Sequence, residues 1–142
     1  MGFSLAAAAA IIGVSTLIVV GTAVENILPT MIDTNESYDD MKNRASDQVQ
    51  TDINITSVIT PSNGSNYDLN FTVYNTGSVV LETSYFNILI NGTVQQFTST
   101  GSYLYPENEV YFNVTNLPGA GTRILKVTTD NGISDYYEYT IV

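Results

Sequence analysis

The stretch Leu69-Asn70-Phe71-Thr72-Val73-Tyr74-Asn75-Thr76-Gly77-Ser78 alternates apolar and polar side chains and then breaks at a turn. Successive side chains of a β-strand point to opposite faces, so Leu69, Phe71 and Val73 fall on one side and Asn70, Thr72 and Tyr74 on the other. Val110, Phe112 and Val114 against Tyr111, Asn113 and Thr115 repeat the pattern further along the chain. One buried and one wet face is the signature of an antiparallel sheet, and two such strands call for a sandwich.

Working outward, runs rich in Val, Ile, Thr, Tyr and Phe lie between Gly, Asn and Pro punctuation and predict strands at Ile53–Thr60, Tyr67–Asn75, Tyr85–Ile90, Thr93–Thr98, Glu109–Val114, Arg123–Thr129 and Ile133–Ile141. Asn91-Gly92 and Asn131-Gly132 read as tight type I′ hairpin turns, because Asn and Gly accept positive φ at low cost. Before Asp52 the period changes. Val24, Ile27, Leu28, Met31, Tyr38, Met41, Ala45 and Val49 keep helical spacing, which predicts an amphipathic stalk over residues 25–52 with a kink near Pro29.

The first two dozen residues are different again. From Phe3 to Val24 the chain carries no charge, and as a helix it would reach about 33 Å, one hydrocarbon thickness. This predicts a transmembrane helix over residues 1–24, a stalk over 25–52 and a β domain over 53–142. Ala6, Ala10, Gly13, Gly21 and Ala23 could let a second helix approach closely, although an Ala-rich span needs no partner. A cleaved secretory signal is the rival, with Gly21 and Ala23 near a small-residue cut site. The missing basic n-region and the length of the run favour a retained anchor.

Fourteen Asp and Glu stand against four Lys and Arg, a net charge of -10, which repels phosphate backbones and argues against nucleic acid as a partner. Cysteine and histidine are absent from the 142 residues. That removes disulfides, thiolate or imidazole metal sites, and the nucleophile–base pairs built on those side chains. There is no Gly-rich phosphate cradle, nucleophile elbow or spaced acid pair, so the expectation is a non-enzyme without cofactors.

Six Asn-X-Ser/Thr triplets mark candidate N-glycosylation acceptors at Asn35, Asn54, Asn63, Asn70, Asn91 and Asn113. Asn54, Asn70 and Asn113 fall on outward strand positions, Asn63 and Asn91 in turns. The acidic run Asp33, Glu36, Asp39 and Asp40 lacks the spacing and glycine of a calcium loop and reads better as a solvated helix face. Tyr103, Tyr105, Tyr111, Tyr136, Tyr137 and Tyr139 suit a recognition surface and equally suit plain strand formation.

The start Met1-Gly2-Phe3-Ser4 before an apolar span, the stalk end Asp47-Gln48-Val49-Gln50-Thr51-Asp52-Ile53-Asn54-Ile55-Thr56, and the strand-turn Leu69–Ser78 resemble the archaeal flagellar protein F family over nearly the whole chain. The resemblance implies a membrane-anchored, immunoglobulin-like β-sandwich of the archaellum, set between membrane and surface layer. It implies a stator that grips the surface-layer protein so that motor torque turns the filament and not the envelope. Partners would then be the surface-layer protein, accessory protein G, filament or motor proteins, the membrane, and a second copy in a homodimer. The alternatives are a subunit of an archaellum or pilus-like filament, and accessory protein G itself. Filament subunits carry a basic leader before the helix, and only Met1 and Gly2 precede Phe3 here.

Overall fold

A computed structural model describes residues 2–141. Helix α1 (Gly2–Gln50) comes first and continues through Pro29 without interruption. It is followed by eleven strands: β1 (Ile53–Ile59), β2 (Ser62–Asn63), β3 (Asn66–Asn75), β4 (Leu81–Glu82), β5 (Asn87–Ile90), β6 (Thr93–Gln95), β7 (Thr98–Ser99), β8 (Tyr103–Leu104), β9 (Glu109–Leu117), β10 (Gly121–Thr128) and β11 (Ser134–Ile141). The chain divides between Asn43 and Arg44 into two units, so the last turns of α1 belong with the β domain.

The β domain is an immunoglobulin-like antiparallel sandwich, as expected. Its first sheet runs β1-β3-β9-β7, with β2 paired to the start of β3, and its second runs β11-β10-β5-β6. β4 and β8 pair in a separate two-stranded ladder. Leu69, Phe71 and Val73 of β3 pair with Val114, Phe112 and Val110 of β9, and all six are buried. Leu125 and Val127 of β10 and Ile88 and Ile90 of β5 face them from the second sheet.

Phe112 is the hub of this core. It stacks on Phe71 at 5.3 Å and on Phe86 at 5.7 Å, and meets the tilted ring of Phe97 at 5.6 Å. Offset and tilted rings suit the aromatic quadrupole and bury large apolar area. Tyr67 of β3 and Tyr139 of β11 join hydroxyls at 3.0 Å across the sheets.

Four details differ from the sequence reading. Thr93–Thr98 is not one strand: β6 pairs with β5, and after Gln96 and Phe97 the chain crosses to pair β7 with β9. Phe97 packs inward at that crossing, and this sheet change leaves no mark in local alternation. The segment expected as a strand from Tyr85 opens with a 3₁₀ turn at Thr83–Tyr85, and β5 begins at Asn87.

The Asn91-Gly92 turn is type I′, with φ of 47° and 82°. The Asn131-Gly132 turn is not. There Gly132 N–H reaches Thr129 O at 3.0 Å, Thr129 N–H reaches Ile133 O at 2.9 Å, and Gly132 takes the positive φ of 81°. That is a three-residue loop closed by a glycine bulge. Finally, Thr72, assigned to the wet face, is buried under its cross-strand neighbours.

Candidate functional site

The apolar part of α1 is exposed along its length, with no residue of the helix buried. Three of its hydroxyls are nonetheless satisfied inside the helix. Ser15 donates to Ile11 O at 2.8 Å, Thr16 to Ile12 O at 2.7 Å, and Thr22 to Val19 O at 3.0 Å. Hydrocarbon offers no partners to a polar group, so back-bonding of this kind suits a lipid-exposed helix, and Thr30, Thr34 and Ser37 in the acidic part of α1 bond back in the same way. Gly2–Gln50 is the helix, among the described residues, long and apolar enough to cross a membrane, and its N-terminal part is a candidate membrane anchor.

Where α1 ends, two loops of the β domain grip it. Thr51, itself buried, donates to Asp47 O at 2.7 Å and accepts from Asn131 Nδ2 at 2.8 Å. Thr76 and Gly77 N–H both reach Asp52 O at 3.0 Å, Ser78 N–H reaches Gln50 O at 2.9 Å, and the Thr76 hydroxyl reaches Asp52 Oδ2 at 2.8 Å. The bonds to Asp47 O and Gln50 O take up carbonyls that a helix end leaves without partners, and those to Asp52 hold the link between α1 and β1.

Gly77 makes the approach possible. A Cβ there would lie 2.6 Å from Asp52 N and closer still to Gln50 O. Asn75 fixes the loop from inside: fully buried, it donates to Val79 O at 2.8 Å and Leu104 O at 3.1 Å and accepts from Gly77 N–H at 2.9 Å. The glycine after a strand was visible in the sequence as a turn. Nothing local showed that a helix end would lie against it.

The sequon asparagines fall into two groups. Asn35 on α1, Asn54 on β1, Asn63 on β2 and Asn91 in the first hairpin turn are exposed. Asn70 and Asn113, on neighbouring strands β3 and β9, are half-buried and hydrogen-bonded to each other through Asn113 Nδ2 and Asn70 Oδ1. The tyrosines divide too. Tyr103, Tyr105, Tyr111 and Tyr136 are exposed, Tyr137 is half-buried and Tyr139 is part of the core. Lys126 lies over the Tyr136 ring at 5.2 Å.

On the outer face of the first sheet, Ser57, Thr72 and Tyr111 form one cross-strand row, and Ile59, Asn70, Asn113 and Thr98 form the next. Between them lies a groove of about 420 Å³. Tyr111 donates its hydroxyl to Glu109 Oε1 at 2.7 Å, and that carboxylate pushes the Tyr111 phenol above its ordinary pKa. Burial, then the bond to Tyr67, pushes Tyr139 up as well, so both stay neutral.

Asp68 moves the other way. Asn116 N–H at 2.8 Å and Asn63 Nδ2 at 3.0 Å donate to it and hold its carboxyl below the ordinary value. Among the described residues, no three His, Cys, Asp or Glu side chains gather closely enough to hold a metal ion, and Asp33, Glu36, Asp39 and Asp40 are spread along an exposed helix.

No family model matches the chain, and no curated protein matches it in sequence. Solved structures share its fold. A chain of the archaeal flagellum of Methanospirillum hungatei strain JF1 superposes with a TM-score of 0.73 at 21% identity, covering 94% of this chain and 91% of that one. The archaellum periplasmic stator protein FlaG from Sulfolobus acidocaldarius superposes with a TM-score of 0.50 at 19% identity, covering 63% of this chain and 99% of that one. At these identities the likeness is one of fold.

Proposed function

We propose that the chain is a non-enzymatic archaellum component, anchored by residues 1–24, spaced by residues 25–52, and gripping the surface layer through the head at 53–142 as a stator. The observation that carries this reading is the distribution of charge along one unbroken helix. Twenty-two uncharged residues, Phe3 to Val24, match one bilayer, and Glu25, Asp33, Glu36, Asp39, Asp40 and Asp47 then follow on exposed positions. Ionised carboxylates are costly to bury unpaired, so this arrangement suits a helix that leaves lipid and continues into water. FlaG of Sulfolobus acidocaldarius, a periplasmic stator protein, shares the fold over 63% of this chain.

A stator needs a fixed anchor, a spacer and a broad rigid contact surface, and no catalytic centre. The surface-layer protein, accessory protein G, other filament or motor proteins and a second copy of the chain are its proposed partners. Asn35, Asn54, Asn63 and Asn91 are the better placed of the candidate glycan acceptors. Fractionation of cells with and without their surface layer tests the reading: the protein should stay with the layer when membranes are solubilised, and should be released when the layer is removed.

A second reading, a filament subunit, is favoured by one observation: the match to the flagellum chain of Methanospirillum hungatei covers 94% of this chain, a share that takes in residues of both the helix and the head. In a filament core the six acidic positions of α1 would pack against neighbouring helices. Retention of the full chain by purified filaments, with no binding to surface-layer protein, would favour this second reading.

A further inference from the structure

We propose that the groove on the outer face of the first sheet binds a neutral oligosaccharide. Its volume of about 420 Å³ lies in the range of ligand sites. Its polar lining includes Ser57, Asn70, Thr98, Thr100, Tyr111 and Asn113, with no charged residue, in a chain of net charge -10. An anionic ligand would find no cation here, and the Glu109 carboxylate beside the groove already accepts from the Tyr111 hydroxyl. Amides and hydroxyls each donate and accept, which is what the hydroxyls of a sugar demand.

The groove also has apolar walls. Tyr111, 54% exposed, offers a flat amphipathic ring on one side, and Ile59, 57% exposed, faces it across the sheet. The ring is pre-set: its hydroxyl is tied to Glu109, and its backbone N–H is tied to Thr100 Oγ1 at 3.2 Å. A site held before the ligand arrives loses less freedom on binding. An extended peptide would need a free strand edge to pair with, whereas the floor of the groove is β3 and the part of β9 that β7 pairs, whose backbones are turned to neighbouring strands. Recognition must therefore come from side chains, as it does for sugars.

The test uses the full chain in lipid nanodiscs and saturation-transfer NMR, with mannotriose and N,N′-diacetylchitobiose as neutral probes and sialyllactose as the anionic one. The expected result is transfer to a neutral probe and none to sialyllactose. Tyr111→Ala should weaken binding at least tenfold, Thr98→Glu at the exposed rim should abolish it, and Tyr136→Ala on the opposite sheet should leave it unchanged. Unaltered melting of each variant would separate lost binding from lost fold. No transfer to either neutral probe, preference for sialyllactose, or full binding by Tyr111→Ala and Thr98→Glu would overturn the proposal.

The site stands apart from the stator reading. Capture of surface-layer protein by a full chain that binds no saccharide overturns the groove alone. Saccharide binding by a chain that ignores the surface layer overturns the stator alone.

Discussion

Gly77 is small because the backbone of another element passes where its side chain would be. Gly77→Ala would place a methyl group against Gln50 O and Asp52 N, and such overpacking costs about 1–3 kcal/mol; a fall in melting temperature with an unchanged β spectrum is the expected outcome. Phe112→Ala removes the ring that three other rings contact, and a cost of about 3–5 kcal/mol is expected in urea unfolding. Asp68 gives a pH-dependent contrast. Its carboxyl is held low by hydrogen bonds from Asn116 and Asn63, so its contribution is present above the unfolded carboxylate pKa and is lost as pH falls through the lower folded value. Asp68→Asn should therefore destabilise the head at pH 7, and the gap from the parent chain should close below about pH 4.

At the scale of elements, the end of α1 behaves as part of the head. Thr51 is buried and the 76–78 loop spends three backbone N–H groups on Gln50 and Asp52, so a fragment beginning at Arg44 should melt higher than one beginning at Ile53. Equal melting of the two fragments would show that the clamp contributes nothing to the fold. Much of this layer was legible in advance. The alternation in β3 and β9 gave the buried face because each of those strands meets core on one side only, and Asn91-Gly92 gave its turn because both residues take positive φ. What stayed hidden depends on partners distant in sequence. The sheet change at Gln96-Phe97 is decided by Phe112, the burial of Thr72 by Ser57 and Tyr111, and the groove by four strands whose rows align only after pairing. Asn131-Gly132 carried the dipeptide of a type I′ turn, yet Thr129 pairs with Ile133 and leaves three residues to close the loop. Turn type followed register there, not composition.

At the scale of the whole molecule, the negative charge is shared between the two parts of the chain. Residues 1–52 and residues 53–142 each hold seven acids against two bases, so the helix and the head each carry an excess of negative charge. Against an acidic surface layer this charge repels at neutral pH, over a range of about 8–10 Å at physiological salt. Exposed carboxylates protonate near pH 4, and each proton taken up removes one repelling charge. Capture of surface-layer protein by the full chain should therefore strengthen as pH falls from 7 towards 4, and added salt should strengthen it at pH 7 while changing little at pH 4. A basic partner would reverse both trends, and retention by filaments alone at every pH would favour the filament subunit. The measurement needs the head to remain folded at the acid end. Asp68 helps there, because its lowered pKa keeps the bonds to Asn63 and Asn116 in place after ordinary carboxylates have begun to protonate. A pull-down series over pH and salt, read beside a melting curve at each pH, thus separates a change in binding charge from a loss of fold.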